Sequence, residues 1–530
     1  MRLWRRRSAC IDTRLSRAHK RLPTHTASTK LVSACIANFA TPQESPMRNA
    51  LILVVLAMLA ACAAPATLNT PEFPDRPAGG AANFLLEADP RVLEGRAASD
   101  AAIPSGRLDL PQLIDIAQRN NPRTRAAWLR ARQAAEAVGL VDTAYLPRVN
   151  AQILMGRART DVSTPDTPAG LLPDGSLSLG GERAIAAVTV NWLLFDFGRR
   201  EAARGEAQEL AFAANVGFTG AHQSLIYEVT QAYHDLYAAQ QRQRVHERRL
   251  INARALSRST LARRAQGLST VTDVAQAKQS VAQARFDLAR AQSKTRSAHT
   301  RLVALLGLPA GHALKPAFPK QLRLPRAVPR ELETHIANAL ARRPDLQAAF
   351  ARARASKQHV RAVEAEFRPR IVAAATFGHT LGRADIPGGP GPTPPSASNG
   401  RPVASVLVGI SIPLWDAGAK ERRRAIAQDQ YAATLAEAES LRLSAEAEIV
   451  GAYELLRSSL EANIAAGELV ATSRVSYDAA RRYAEEGLAT VAEVSLAQQL
   501  LFDAEIARID AQHAALSAAA TLAFASGQLG

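Results

Sequence analysis

Large rings are scarce in this sequence. Phe, Trp and Tyr together make up 5% of its 530 residues, and there are three cysteines. Few aromatics argue against bulky globular cores, and the abundance of alanine suits helices packed closely along their length. Cys10 and Cys35 precede a signal-like segment, so a processed chain keeps only Cys62. No disulfide and no cysteine metal site can then form within one protomer. After residue 62 no run reaches the ~20 apolar residues of a transmembrane helix. Catalytic motifs are missing as well: there is no HExxH, no GxxxxGK ending in Ser or Thr, and no GxSxG. Zinc-protease, P-loop and nucleophile-elbow chemistry each need one of these. His222, His234 and His246 do recur every twelve residues. On an ideal helix that spacing turns each by about 120° from the last, so they cannot share a site. No metal and no enzyme activity are expected.

Positive charge is plentiful, but its location decides its meaning. The formal net charge is +17, and residues 1–46 hold nine Lys or Arg against Asp12 and Glu44, a local excess of +7. The remainder is mixed-sign helix surface, and nucleic acid is not an expected partner. Met47-Arg-Asn49 opens a short basic region, residues 50–59 are an apolar run too short to span a membrane, and Leu59-Ala-Ala-Cys62 follows. That ending resembles a bacterial lipobox, whose small residues admit the signal peptidase and whose cysteine thiol receives the lipid. Residues 1–46 are accordingly read as a mis-assigned extension and 47–61 as a lipoprotein signal peptide. Residues 62–107, rich in Ala, Pro and Gly, are read as a tether from a lipidated Cys62, the only covalent group expected. Ala63 in place of aspartate resembles lipoproteins sorted to the outer membrane.

Two alternating stretches, about 149–157 and 184–195, flank a polar loop and read as a hairpin. Val188, Val190 and Trp192 oppose Thr189 and Asn191. The chain turns at Asp196–Gly198 and then has no proline for roughly 68 residues, to Gln266. At ~1.5 Å per residue that is a helix of about 100 Å. It carries Leu225, Val229, Ala232, Leu236 and Ala239 at helical spacing, breaks at Gly267-Leu-Ser269, and returns as a second helix to about residue 306. Residues 307–330 read as a proline-rich linker.

After that linker the chain repeats itself. Pro122-Arg-Thr-Arg-Ala-Ala-Trp-Leu-Arg-Ala-Arg132 returns as Pro344-Asp-Leu-Gln-Ala-Ala-Phe-Ala-Arg-Ala-Arg354, 222 residues later. Leu194-Phe-Asp-Phe-Gly198 returns as Leu414-Trp-Asp-Ala-Gly418, and Gly267-Leu-Ser-Thr-Val-Thr-Asp-Val274 as Gly487-Leu-Ala-Thr-Val-Ala-Glu-Val494, both 220 residues later. Residues 108–306 and 331–530 are thus two copies of helix, hairpin, very long helix and return helix. In the second copy the strands fall at about 370–380 and 404–414 and the long helix at 418–486. Tyr233 and Tyr453 match across the repeat on the apolar stripe and read as core.

Four strands with one apolar face fit a membrane barrel but cannot close one, since about eight are needed. The copies must therefore pool strands, and arithmetic alone permits two, three or four of them. The lipobox, the duplication, the joints at Asp196, Gly198, Asp416 and Gly418, and the paired helix tips resemble TolC-type outer-membrane efflux channels. Within that family the chain resembles the lipoprotein (NodT-like) subgroup that serves resistance-nodulation-division pumps. The resemblance implies a mainly α protein with membrane β. It would be a homotrimer with one twelve-stranded barrel in outer-membrane lipid and an α-helical tube crossing the periplasm. It would dock an inner-membrane pump through a periplasmic adaptor (membrane fusion) protein and act as a passive exit duct.

By the same resemblance the tips, with Arg264, Gly267, Leu268, Ser269, Gly487, Leu488 and Ala489, receive the adaptor, and Glu493 belongs to the periplasmic aperture. The next acid of the family's pattern is Leu496 here, the basic residue after the tip glycine is Ala489, and the tyrosine before it is displaced to Tyr483. These departures imply a partly apolar constriction. Two other classes remain beside the duct. An adaptor or coiled-coil scaffold lipoprotein would need a lipoyl-like β module, and a lipid-anchored enzyme would need a catalytic constellation.

Overall fold

A computed structural model describes residues 106–163, 176–319, 324–325, 332–385 and 396–529. The chain divides into two units, 1–97 and 98–530, and all described residues belong to the second. The expectations for the extension, the signal peptide, Cys62 and most of the tether lie outside the described residues.

The first repeat contains α1 (Leu110–Asn120), α2 (Pro122–Asp142), β1 (Arg148–Ser163), β2 (Ser176–Phe195), α3 (Arg199–Ala265) and α4 (Val271–Leu305). The second contains α5 (Leu332–Arg342), α6 (Pro344–Glu366), β3 (Arg370–Asp385), β4 (Ser396–Ser411), α7 (Ala419–Glu485) and α8 (Val491–Ala525). The long helices α3 and α7 have 67 residues each, and the return helices α4 and α8 have 35 each. A return helix therefore covers only about 50 of the ~100 Å of its partner. The rest is covered by α2 in the first repeat and α6 in the second.

Local chemistry explains why α2 begins where α4 ends. Asn121 caps α2 by accepting from the Arg123 amide at 2.8 Å, and Pro122 occupies the first helical position, where no donor is needed. The same Asn121 donates through Nδ2 to the Leu305 carbonyl at 2.9 Å, tying the start of α2 to the end of α4. In the second repeat Arg343 stands in the cap position and donates to the carbonyl of Ala525. It is buried and also pairs with Asp345 at 2.7 Å and Glu448 at 2.8 Å. Burial alone would lower its pKa, but the two carboxylates outweigh that and raise it.

The four strands form one antiparallel sheet in the order β1-β2-β3-β4. Its register sorts the side chains into two faces. Val149 pairs with Val190, Val188 with Phe377, and Ile371 with Ile410 on the apolar face. On the other face Arg148 pairs with Asn191, Thr189 with Thr376, and Arg370 with Ser411. A membrane barrel must turn the first face to lipid and the second to its lumen. The strands run farther than the sequence pattern suggested, because cross-strand hydrogen bonding continues into segments without apolar alternation. The fourth likewise starts early, at Ser396 instead of about 404, but it stops at Ser411 instead of about 414. Pro413 supplies no amide hydrogen to a ladder, so pairing ends before it. Its counterpart in the first repeat is Leu193, and there β2 continues through an irregularity between Leu193 and Phe195.

The core is widest midway along the long helices. Leu225, Val229, Leu236, Leu302, Val303 and Leu113 form one fully enclosed cluster where α1, α3 and α4 meet, and Tyr233 is buried in it. A second cluster around Ile449, Leu456 and Leu522 repeats this between α7 and α8, with Tyr453 packed against it. Residues 307–319, expected to be the start of a linker, belong to the first core. Leu308 and Leu314 are buried in it, Leu108 bridges to Pro316, and the Tyr233 hydroxyl donates to the Ala317 carbonyl at 2.5 Å. The periodic pattern gave no sign of this, since a wrapped segment buries isolated residues without a period.

Candidate functional site

At the end of α3 the chain reverses through Gly267, whose φ is +77°, a value that favours glycine. Its amide donates to the Arg264 carbonyl at 2.9 Å and the Leu268 amide to the Arg263 carbonyl at 2.8 Å. That pair of bonds is a Schellman motif. Gly487, with φ +78°, repeats it: its amide donates to Ala484 at 3.3 Å and that of Leu488 to the Tyr483 carbonyl at 2.7 Å. A Cβ on either glycine would meet open space, so the backbone conformation, not crowding, calls for glycine. The leucine after each glycine is thrown outward: Leu268 is 67% exposed and Leu488 74%. Tyr483 and Arg264 are exposed too, while Ser269 and Ala489 are half-buried.

Glu493 is exposed, but its carboxylate is engaged. It accepts from the Thr490 amide at 2.9 Å while the Thr490 hydroxyl oxygen accepts from the Glu493 amide at 3.2 Å, a capping box at the start of α8. Asp273 does the same with Thr270 and also accepts from the Ser269 hydroxyl at 3.1 Å. The amide and hydroxyl of Thr270 hold the Asp273 carboxyl below its usual pKa. Sequence reasoning passed over this role, although Thr-x-x-Asp and Thr-x-x-Glu before an apolar run are its signature. Leu496 lies one turn beyond Glu493, exposed and lining a cavity of about 310 Å³ with Gln276, Gln279 and Gln499 between the two hairpins.

The strand-to-helix joints sit at the opposite end of α3 and α7. Each has two successive left-handed residues, Phe197 (φ +52°) and Gly198 (+94°), then Ala417 (+57°) and Gly418 (+81°). Asp196 is buried and accepts from the Arg200 amide at 3.0 Å and its Nε at 3.1 Å. The Arg200 guanidinium also donates to the carbonyls of Ala144, Leu193 and Leu194 and lies 4.5 Å over the Tyr145 ring. Arg200 was missed from sequence; its place four residues after Asp196 was the available signal. Asp416 accepts only backbone amides, Gly418 at 3.2 Å and Lys420 at 2.8 Å. The three spaced histidines go to separate surroundings. His222 lies edge-on to Phe218, His234 is buried, and His246 lines a cavity with Arg242 and Asp287.

A four-stranded sheet with one lipid-compatible face, mounted on paired ~100 Å helices, defines a membrane duct component that is completed by other copies. Comparisons with known proteins agree. The family description "outer membrane efflux protein" matches residues 113–308 and 335–528, one segment for each repeat. Protein CyaE of Bordetella pertussis is 30% identical over 70% of this chain and 75% of its own length. The outer membrane efflux protein BepC of Brucella suis is 25% identical over 78% of this chain and 84% of its own. A membrane protein from Pseudomonas aeruginosa of known structure superposes with a TM-score of 0.67 at 25% identity, covering 79% of this chain and 93% of that one. The chain belongs to the outer membrane efflux protein family. It is the outer-membrane channel component of an efflux system, a passive duct extending into the periplasm and not an enzyme. Channels of this kind form trimers and work with pumps and adaptors in tripartite systems. The adaptor reading has no support.

Proposed function

We propose that this channel is a Cys62-lipidated homotrimer. Its tips at Arg264–Ser269 and Tyr483–Ala489 receive a periplasmic adaptor, and through it the channel serves an inner-membrane pump of the resistance-nodulation-division class. The observation that carries this is the pair of identical Schellman tips, each throwing one leucine into solvent, Leu268 and Leu488. Two apolar knobs on rigid turns suit the groove of a partner helical hairpin, and bare leucines there otherwise serve no packing role. Trimerisation is supported by the open edges of β1 and β4, which expose unpaired backbone groups at several kcal/mol each in lipid. Twelve pooled strands remove them.

Glu493 and Leu496 then line the periplasmic aperture, one ring acidic and one apolar. The acid does two jobs there: it caps α8 and contributes negative potential. Single-channel recording of the full chain in a planar bilayer is the test. A conducting trimer is expected, and Glu493→Gln should reduce preference for cations entering from the tip side. A protein that never conducts would overturn the duct. Intact-mass measurement of the N-terminal peptide checks the lipid on Cys62, which adds the mass of acyl chains to that fragment alone.

A further inference from the structure

Where the barrel meets the helical tube, the charges on the polar face of the sheet have one sign. The polar face of the sheet carries Arg148 and Arg370 at this end, Arg401 farther along β4, and no carboxylate among the described side chains. Arg148 and Arg370 are counterparts in the two repeats, each at the first residue of its hairpin. Both are exposed, and neither guanidinium has a hydrogen-bond or ion-pair partner among the described residues. They border a cavity of about 430 Å³ together with Arg199, Arg368 and Asn191.

The two carboxylates at that cavity are already committed. Asp196 is held by Arg200. Glu366 is shared between Arg199 and Arg423, at 3.6 Å each. Arg368 donates to the Phe197 carbonyl at 3.2 Å, which fixes its head at the rim. Four guanidiniums thus face one cavity, and the two on the strands are left without counter-charge. Unpaired guanidinium forks match carboxylate or phosphate oxygens two at a time. At a neck between tube and barrel, one sign of charge over low-dielectric walls would concentrate their field.

We propose that this neck is an anion-binding collar. Small organic molecules bearing carboxylates would bind transiently to Arg148 and Arg370 as they leave the tube for the barrel, and the collar would bias the pore toward anions. The inference rests on the trimeric duct, in which three copies of the pair encircle one axis. It places a positive ring at the membrane end of a channel whose tip carries Glu493.

The test is reversal-potential recording across a KCl gradient with the full chain in a planar bilayer, with citrate as the probe anion added on the barrel side. The wild type should show citrate-dependent block that fades as salt rises and screens the ring. In R148Q/R370Q the block should disappear, and the chloride-to-potassium permeability ratio should fall about threefold. The R148K/R370K pair keeps the charge but not the fork, so it should retain ion preference and bind citrate more weakly. If the double glutamine variant fails to assemble, R148Q and R370Q singly should each give a partial loss. Conducting channels with no citrate block, or with block and permeability ratio unchanged in the variants, would overturn the collar and leave the duct intact. Absence of conductance in the wild type would overturn the duct itself.

Discussion

In the first repeat the passage from strand to helix is locked by a buried ion pair, whereas in the second the equivalent passage is bare. Asp196 and Arg200 have side chains only 10% and 11% exposed, and Arg200 reaches three carbonyls of the preceding turn and strand. Its counterpart Lys420 makes no ion pair among the described residues and stands 5.9 Å from the Phe367 ring. Beside it Leu414 is 91% exposed and Trp415 86%. Two substitutions account for the difference. Pro413 in place of Leu193 ends the strand early, and a point-charge ammonium in place of a guanidinium fork cannot bond several carbonyls at once. The long helices differ the same way. α3 is packed between α2, α4, α6 and α8, whereas α7 leaves Ile426, Leu443, Ile464 and Val475 exposed. Duplication therefore produced one stave that is largely enclosed within the protomer, with Phe212 and Ile251 still exposed, and one with more apolar surface for a neighbouring copy to cover.

The joint provides the largest expected contrast. Arg200→Ala leaves a buried carboxylate without its partner, at a cost of about 3–5 kcal/mol. Lys420→Ala removes an exposed amine and should stay within about 0.5 kcal/mol. Unfolding midpoints of the two variants in the same detergent would compare them directly. Equal losses would mean that the lock at Asp196 is not what holds the first joint.

How much of this was legible in sequence follows from what each feature requires. The long helices were plain, because an uninterrupted 3.6-residue period is a local property of the chain. So were the joints, where Asp, one intervening residue and Gly recur 220 residues apart. The full strand lengths were hidden, since pairing is decided by the neighbouring strand as much as by the strand itself. Arg200 was hidden for a similar reason: three of its acceptors are carbonyls, which leave no mark in side-chain identity. At the tips Glu493 was seen as a charge and not as a cap, although Thr490 three residues earlier announced it.

Acid should separate the repeats next. His234 is buried on α3, and its Nδ1 has no hydrogen-bond partner among the described residues. Burial, and then the neighbouring His513, push its pKa down to about 4 from 6.5, although Asp235 pulls the other way. Its counterpart, Glu454 on α7, is exposed and pairs with Arg457 at 2.7 Å. Between pH 6.5 and 4 the unfolded His234 binds a proton that the folded one refuses. Stability from keeping it neutral is therefore complete above that window and lost as pH falls through it, roughly 3 kcal/mol in all. Asp235 is held below its usual pKa, chiefly by the hydrogen bond from His513 at 2.8 Å. Its contribution is lost only at still lower pH. Unfolding midpoints measured from pH 7 to 4 should fall steeply for the wild type and less for His234→Gln. Parallel curves would place the acid sensitivity elsewhere.

The smallest contrast lies at the tips, where one hydroxyl distinguishes two otherwise matching caps. Thr490→Ala removes the side chain that starts α8, and such caps are worth about 1 kcal/mol. Thr270→Ala removes the same group from α4, but Ser269 remains to hold the Asp273 carboxylate, whereas its counterpart is Ala489. The second tip should therefore loosen more than the first. Amide hydrogen exchange over residues 491–494, set against 271–274, reads this directly, since a lost cap frays the first turn before it affects the rest of the helix. If Glu493 also lines the aperture, the Thr490 variant should conduct with more frequent fluctuations, because the Glu493 amide loses the hydroxyl that holds the first turn of α8 in place. The Thr270 variant should gate as the wild type does. Equal protection in both tips, with equal gating, would show that the Ser269 hydroxyl adds nothing to the cap and that the two hairpins are as alike in stability as they are in outline.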